Sequence, residues 1–373
     1  MKIIILGPFP PFRGGISDFN LALAQNLKIK HEVENVNFTT QYPAWLFPGK
    51  TQYKPDNDEI GFNTTRLLSS INFLTWKKTA NYIVDKNPDL VIFRYWMPFF
   101  ALSQANVAKY IRSKCGTKML AICDNIVPHE KHIFDYQLTQ YFLNKMDHFI
   151  VMSRMVEKDL LKFIDNPDYR YTPHPIYNIF GPPVSKAKAR QTHGIKSKNI
   201  ILFFGIIRAY KGLDILLKSI PFLAKNMSDF KVLIVGESYE PFEKYQNLIN
   251  ELEIEKYLDL KLQFLSNDEI AGYFSAADVV ALPYRSATQS GIVQIAYYYD
   301  KPVIASNVGG LPEVVSDGEV GYVVNPEPAD FADGIIRIFK NDQHLLFSEN
   351  VKLFKNRFNW DEFVNVIESM TAK

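Results

Sequence analysis

Short apolar runs recur along the whole chain, and most of them are followed by a turn and then by a helical pattern. In the first half these runs predict strands at Lys2–Leu6, Lys118–Cys123 and residues 31–38, 89–93 and 149–152. A short apolar run between turn residues is typical of a strand that is buried on both faces of a parallel sheet. The first half is therefore predicted to be an α/β domain built from strand–loop–helix units.

The second half repeats this rhythm, with strands predicted at Val279–Leu282 and at residues 200–204, 231–235, 260–265 and 302–306. Between the halves, residues 181–190 have the Pro, Ser and Lys composition of a linker. The predicted organisation is an N-terminal domain at residues 1–185 and a C-terminal domain at residues 186–355. A final helix within residues 356–373 is predicted to pack back on the first domain.

The most informative loop follows the predicted strand Val279–Leu282 and contains Thr288, Gln289, Ser290 and Gly291. A helix is predicted to begin near Ser290, so that the backbone N–H groups of Gly291 and Ile292 are free. Loops at the carboxyl ends of parallel strands form ligand sites, and a helix N-terminus suits an anion such as a diphosphate. The alternative is an ordinary loop in which Ser and Thr cap the helix.

Two more loops of the second half fall at the same edge of the predicted sheet. The first joins Gly205 to Gly212 and carries Arg208 and Lys211, a pair of cations that suits a diphosphate. The alternative is a solvated charged turn. The second loop follows residues 231–235 and carries Glu237, which is a candidate donor-binding residue.

The first half offers two weaker candidate sites. Gly14 and Gly15 lie between the first strand and a helix that Ser17 or Asp18 is expected to cap, and glycines there let a ligand approach the backbone. Asp124 and His129 follow the strand Lys118–Cys123 and are acid–base candidates. The alternatives are a plain tight turn for the glycines, and a turn-capping Asp124 with a surface His129.

Composition excludes several classes of protein. The chain has 373 residues and a net charge of +2, which gives no support for nucleic-acid binding. Its two cysteines have no metal-ligand spacing, and no signal peptide or membrane-spanning run is recognised. These features predict a cytoplasmic protein without a metal site.

The second half resembles the nucleotide-sugar-binding half of retaining glycosyltransferases of family 4. The stretches that carry the resemblance are FFGIIRAYKGLDILLKSI, KVLIVGE and FSAADVVALPYRSATQSGIVQIAYYYDKPVIASNVGGLPEVVSDGEVGYVV. The first half, with GPFPPFRGG after its first strand, is similar to the acceptor half of that family. The resemblance implies the GT-B fold, in which two Rossmann-like domains have parallel sheets facing a central cleft. It also implies a nucleoside diphosphate sugar as donor, retention of configuration and no cofactor or essential metal.

The resemblance assigns Arg208 and Lys211 to the diphosphate and brings Gly14-Gly15 to the donor phosphates. The sequence departs from the family at Ala287 and Ile295, where the family usually carries glutamates. Gln289 and Gln294 are the nearby polar residues expected to take over part of that hydrogen bonding. Many members of the family have a histidine at the position of Asp124, so this role falls to Asp124, to His129 or to neither.

The resulting hypothesis is a metal-independent retaining glycosyltransferase of polysaccharide biosynthesis that moves a hexose-type sugar, with UDP as the favoured nucleotide. Its acceptor is a glycan, a lipid-linked or a small-molecule hydroxyl. The alternatives are a nucleotide-sugar epimerase and an inactive nucleotide-sugar-binding protein. Residues 1–185 carry a formal charge of +5 (21 Lys and Arg against 16 Asp and Glu), which fits peripheral association with an anionic inner membrane. A chance imbalance on a solvated surface is the alternative.

Overall fold

The computed structural model describes residues 1–47, 49, 51–54, 64–127 and 133–371. The chain divides into two compact units, one formed by Met1–Pro175 with Trp360–Lys373 and the other by Ile176–Asn359. The division at Pro175 falls earlier than the predicted boundary at residue 185. Residues 176–185, which were predicted to end the first domain, therefore belong to the second unit.

The first unit contains a seven-stranded sheet in the order β3-β2-β1-β4-β5-β6-β7, and all its paired strands are parallel. Its strands are β1 (Lys2–Leu6), β2 (Glu32–Thr40), β3 (Thr64–Ser69), β4 (Leu90–Tyr95), β5 (Lys118–Cys123), β6 (His148–Val151) and β7 (Tyr169–Tyr171). Its helices are α1 (Gly15–Leu27), α2 (Phe73–Lys86), α3 (Ala101–Arg112), α4 (Asp135–Leu143), α5 (Arg154–Phe163) and the C-terminal α14 (Trp360–Thr371).

The second unit contains a six-stranded parallel sheet in the order β10-β9-β8-β11-β12-β13. Its strands are β8 (Asn199–Phe204), β9 (Phe230–Val235), β10 (Leu258–Lys261), β11 (Val279–Leu282), β12 (Val303–Ser306) and β13 (Gly321–Val324). Its helices are α6 (Lys186–Thr192), α7 (Leu213–Asn226), α8 (Glu243–Glu251), α9 (Asn267–Ala276), α10 (Gly291–Tyr298), α11 (Leu311–Val314), α12 (Pro328–Phe339) and α13 (Gln343–Phe354).

The apolar runs form the centres of both sheets. Every residue of β4 and of β11 is buried, because helices cover both faces of a parallel sheet. In each sheet the strand order reverses beside the first strand, between β1 and β4 and between β8 and β11. Connections from two such neighbours leave in opposite directions, which opens a crevice at their carboxyl ends. The topology thus places the loops after β1, β8 and β11 at these crevices, and the loops after β5 and β9 at the same carboxyl edges of their sheets.

Several predicted elements need correction. The strand predicted at residues 260–265 lies at Leu258–Lys261, and the strand predicted at residues 89–93 extends to Tyr95, so that Arg94 and Tyr95 are buried residues of β4. β3, at Thr64–Ser69, is a strand that was not predicted from the sequence. No helix within the described ranges is long and apolar enough to cross a membrane.

Candidate functional site

The turn after β8 is shaped by two glycines with positive φ. Gly205 has φ of 108° and its N–H donates to the Val235 carbonyl at 2.9 Å. Gly212 has φ of 64°, and a Cβ there would lie 1.9 Å from the Pro283 carbonyl oxygen. Only glycine fits so close an approach of backbone to backbone. The segment between them, with Arg208 and Lys211, is therefore held against the end of β11.

Lys211 and the start of α10 converge on Gly205. A Cβ built on Gly205 would lie 3.0 Å from Lys211 Nζ and 3.5 Å from Ile292 Cδ1. The structure thus brings together three of the residues that the sequence predicted as parts of one site. Glycine at position 205 leaves this space open at the reversal point of the sheet.

Lys211 is a buried cation whose pKa is shifted by its surroundings. Its side chain is only 8% exposed, and Nζ lies 5.2 Å from the centre of the Tyr284 ring. Burial lowers the pKa of Lys211 below the ordinary lysine value, and Arg208 lowers it further while Tyr210 opposes the shift. Because burial has already desolvated this ammonium group, it can bind an anion strongly in this crevice.

This shift predicts a pH dependence for diphosphate binding. Because the pKa of Lys211 is lowered from 10.5, its charged fraction declines at a lower pH than that of an exposed lysine. The affinity for inorganic pyrophosphate should therefore fall as pH rises through the lowered pKa, measured by isothermal titration. Lys211→Arg is the control, because a guanidinium stays charged and should remove the alkaline decline. An unchanged decline in that variant would refute the role of Lys211.

Arg208 lies beside the loop after β9. Its guanidinium carbon lies 5.6 Å from the centre of the Tyr239 ring. The backbone of Ile207 donates to the Glu237 carbonyl at 2.9 Å, and Tyr239 donates back to Ile207 at 3.1 Å. Glu237 is buried at 8% exposure. These bonds join the loops after β8 and β9 and place Arg208 and Glu237 at the same edge as Lys211.

The loop before α10 is held in place by contacts with Gly309 and Gly310. The Gly310 N–H donates to the Ala287 carbonyl at 3.1 Å, and a Cβ on Gly309 would lie 1.5 Å from the same oxygen. Thr288 and Ser290 are buried in this loop, and Gln289 lies between them. These two glycines hold the candidate loop in place, which agrees with the structural rather than catalytic role that the family resemblance implies for them.

Replacing Gly309 should therefore disrupt the site. Gly309 has φ of 52°, and Gly309→Ala adds a methyl group that cannot fit beside Ala287. Gly318→Ala is a matched control, because Gly318 has φ of 73° but nothing lies within 4 Å of its Cβ position. The control should lose about 1–2 kcal/mol of unfolding free energy from backbone strain alone. Gly309→Ala should lose clearly more in urea unfolding; equal losses would contradict the proposed fit.

Helix α10 begins at Gly291, next to Ser290, where the sequence predicts its start. Ser290 is its N-cap residue, but its side chain makes no capping hydrogen bond, so the alternative in which this serine caps the helix is not supported. Burial raises the pKa of Tyr284 to about 12. Gln294 is 1% exposed, and its Oε1 has no hydrogen-bond partner among the described residues. It is therefore available for a ligand that donates a hydrogen bond.

In the first unit, Gly14 is the N-cap residue of α1, with φ of 112° and open space around its Cβ position. The backbone of Gly14 and Gly15 at the β1–β4 crevice is thus sterically accessible. Neither Ser17 nor Asp18 caps the helix by its side chain, contrary to the prediction. Asp18 instead pairs with Lys54 at 2.9 Å, and burial raises the pKa of its carboxyl group.

Asp124 lies at the end of β5, where the sequence placed it, but it has a partner that was not foreseen. Arg94 Nε donates to Asp124 Oδ2 at 2.6 Å, and Arg94 Nη2 donates to Oδ1 at 2.5 Å. Arg94 is 1% exposed, and its guanidinium lies 3.7 Å from the centre of the Phe19 ring. Both oxygens of the Asp124 carboxylate are therefore engaged in a charge-assisted bidentate pair. The second candidate, His129, lies outside the described residues.

Three aromatic side chains at the second-unit site were missed by the sequence analysis. Tyr284 lies beside Lys211, Tyr239 lies beside Arg208, and Tyr177 packs against Gly291, where an added Cβ would lie 2.9 Å from its ring. Tyr284 follows the proline that ends β11, and this position at the carboxyl end of a parallel strand is the signal by which it could have been predicted as a site residue. Within the described ranges, no group of three or more His, Cys, Asp or Glu side chains could hold a metal ion.

Comparison with known proteins adds to this geometry. Residues 185–360 match the family model described as glycosyl transferases group 1. A D-inositol 3-phosphate glycosyltransferase of Corynebacterium aurimucosum is 26% identical over 62% of this chain and 58% of its own length. A GDP-mannose-dependent alpha-(1-6)-phosphatidylinositol monomannoside mannosyltransferase of Mycolicibacterium smegmatis is 22% identical over 88% of this chain and 86% of its own.

Among solved structures, Anabaena HepE in complex with UDP matches with a TM-score of 0.77 and 17% identity, over 100% of both chains. The alignments span only 42% to 58% of the length of five curated relatives. The family model matches the part of the chain in which Arg208, Lys211 and the start of α10 lie, whereas the fold matches throughout. Residues 185–360 are therefore similar to the glycosyl transferases group 1 family, and the chain has the GT-B fold.

Proposed function

We propose that this chain is a group 1 glycosyltransferase that moves a hexose-type sugar from a nucleoside diphosphate sugar to an acceptor hydroxyl, with retention of configuration and without a metal. The observation that carries the proposal is the convergence of Lys211, Ile292 and Gly205 at the reversal point of the second sheet. A buried lysine, an arginine and a helix N-terminus together suit the negative charge of a diphosphate.

In this proposal the charge that builds on the leaving diphosphate is stabilised by Arg208, Lys211 and the N–H groups at the start of α10. Preorganised positive groups of this kind contribute most when charge develops in the transition state. The bond between the anomeric carbon and the diphosphate oxygen breaks. The acceptor oxygen bonds to the anomeric carbon from the same face, and its proton passes to the diphosphate. No residue of the chain is proposed as a nucleophile.

Gln289 and Gln294 are proposed to orient the donor, in place of the glutamates of the resembling family. The two amides are neutral, so they leave the positive charge of Arg208 and Lys211 uncompensated near the diphosphate. Gln294 Oε1 accepts no hydrogen bond from the described residues, and a sugar or ribose hydroxyl could donate one to it. Thr288, Ser290 and Glu237 complete the proposed donor side of the site.

UDP is proposed first as the nucleotide, because the HepE structures hold UDP or UDP-glucose and align over the full length of both chains. GDP is the second nucleotide to test, because the Mycolicibacterium relative is named as GDP-mannose-dependent. The names of the relatives also include inositol phosphate and phosphatidylinositol compounds, so hydroxyls of phosphorylated or lipid-linked acceptors are the class to test first.

The experiment is incubation of the full chain with UDP, GDP and ADP sugars in the presence of EDTA, followed by chromatography of nucleotides and sugars. The proposal predicts release of a nucleoside diphosphate from at least one donor, unaffected by the chelator. An altered sugar on an intact nucleotide would indicate an epimerase. Binding without any conversion would indicate an inactive binding protein, and loss of activity in EDTA would refute metal independence.

A further inference from the structure

The first unit exposes apolar side chains at the starts of two adjacent helices. Ile71, just before α2, is 56% exposed, and Phe73 and Leu74 in its first turn are 67% and 69% exposed. Leu102, the second residue of α3, is 44% exposed, and α2 packs against α3. We name these four residues the apolar rim. Each helix follows a strand of the parallel sheet, β3 or β4, so both starts lie at the carboxyl edge of that sheet.

The rim is not an extension of the core. Helix α2 buries Thr79, Ala80 and Ile83 against the rest of the unit, so its inward face is already occupied. Phe73 and Leu74 are consecutive, and no single helix face could bury both together with Ile71. Single exposed apolar residues are common on protein surfaces, but a cluster of large ones marks an interaction site.

The charges behind the rim have one sign. Lys77 and Lys78 follow one turn after Phe73 and Leu74 and are exposed, and Lys109 is exposed on α3. In the described part of the chain none of these three lysines is paired with a carboxylate. The first turns of α2 and α3 contain no acidic residue. An approaching surface would thus meet apolar side chains first and positive charge next.

We propose that the apolar rim docks the protein on an anionic lipid bilayer. Apolar side chains that enter the headgroup region and lysines that remain at its surface are the two components of interfacial binding. A second copy of this chain fits less well, because its rim would bring like charges together. The rim lies at the same sheet edge as Gly14 and Asp124, so docking would present this edge to a hydroxyl carried by a lipid. This last step rests on the proposed function; the docking itself does not.

The test is co-flotation of the full chain with vesicles of phosphatidylcholine alone or mixed with phosphatidylglycerol. We expect binding to the mixed vesicles, and a weaker binding at high salt. Phe73→Ser with Leu74→Ser should lower partitioning by about tenfold or more, since the apolar contribution is lost. Lys77→Ala with Lys78→Ala should lower it by about tenfold on anionic vesicles only.

A matched control exists on the second unit. Leu345 and Leu346 are also consecutive, stand in the first turn of α13 and are 54% and 59% exposed. Leu345→Ser with Leu346→Ser should leave vesicle binding unchanged. Circular dichroism and release of nucleoside diphosphate from a soluble donor should be the same in all variants, so a failure of docking is separable from a failure of the proposed function.

Four outcomes would overturn the proposal. The first is absence of binding to anionic vesicles, and the second is equal binding by the Phe73–Leu74 variant and the parent chain. The third is a parent chain that dimerises in light scattering while the Phe73–Leu74 variant is monomeric, which would assign the rim to self-association. Equal losses in the rim variant and in the Leu345–Leu346 control would likewise show that the rim has no special role.

Discussion

Arg208→Ala and Lys211→Ala should each lower kcat by about a hundredfold or more, while the folded chain remains nearly as stable as the parent. The expectation follows from the place of both cations beside Gly205 and the start of α10, where a leaving diphosphate would gain charge. Removing a group that stabilises developing charge reduces turnover more than substrate binding. Steady-state kinetics with the donor found to be active, together with urea unfolding, measure both quantities.

Lys218→Ala is the matched control for this prediction. Lys218 lies on α7, the same helix that follows the Arg208–Lys211 turn, but its side chain is exposed. Its removal should leave kcat within about twofold, since a solvated charge contributes little. Near-normal turnover in both Arg208→Ala and Lys211→Ala would remove the basis for the diphosphate site.

The second large effect concerns Asp124 and should appear in stability. Asp124→Ala leaves Arg94 buried without its carboxylate partner, and loss of one member of a buried ion pair costs about 3–5 kcal/mol. The bidentate contacts of 2.6 and 2.5 Å and the 1% exposure of Arg94 support this expectation. Urea unfolding of the full chain measures the loss.

Replacing both partners should restore much of that stability. Arg94→Met with Asp124→Leu removes both charges at once, which is often nearly neutral when the volume is kept. Turnover decides the role: a positioning pair predicts that the double variant retains activity, whereas a catalytic Asp124 predicts that it loses activity although it folds. His129→Ala remains the separate test of the other acid–base candidate, with lower kcat and unchanged nucleotide affinity as the expected result.

Strands of both units, and the site loops of the second unit, could be predicted because they depend on the local pattern of apolar and turn residues. β1, β5 and β11 have the predicted bounds, since a short apolar run between turn residues admits few other structures. The candidate loops fall at one sheet edge because parallel strands place all their carboxyl ends there. Arg208 and Lys211 were therefore found from spacing alone, although their roles stay predictions.

What the sequence did not reveal depends on contacts between distant residues. The Arg94–Asp124 pair joins two neighbouring strands, and the local sequence pattern of neither strand indicates it. The fit of Gly309 against Ala287 likewise requires the loop after β12 to meet the loop after β11. β3 was missed because its residues, TTRLLS, alternate poorly and follow a long polar segment. Apolar patterning cannot show such pairings.

The most direct test of the central claim, that Arg208 and Lys211 hold the diphosphate of the donor, is calorimetric. The full chain is titrated with UDP and with uridine. The same comparison is then made for GDP and guanosine and for ADP and adenosine. The account predicts that the diphosphate of one pair binds at least tenfold more tightly than its nucleoside, and that Arg208→Ala with Lys211→Ala abolishes this difference while the nucleoside still binds. Equal affinity for nucleoside and diphosphate in the parent chain, or a difference that survives in the double variant, would contradict it.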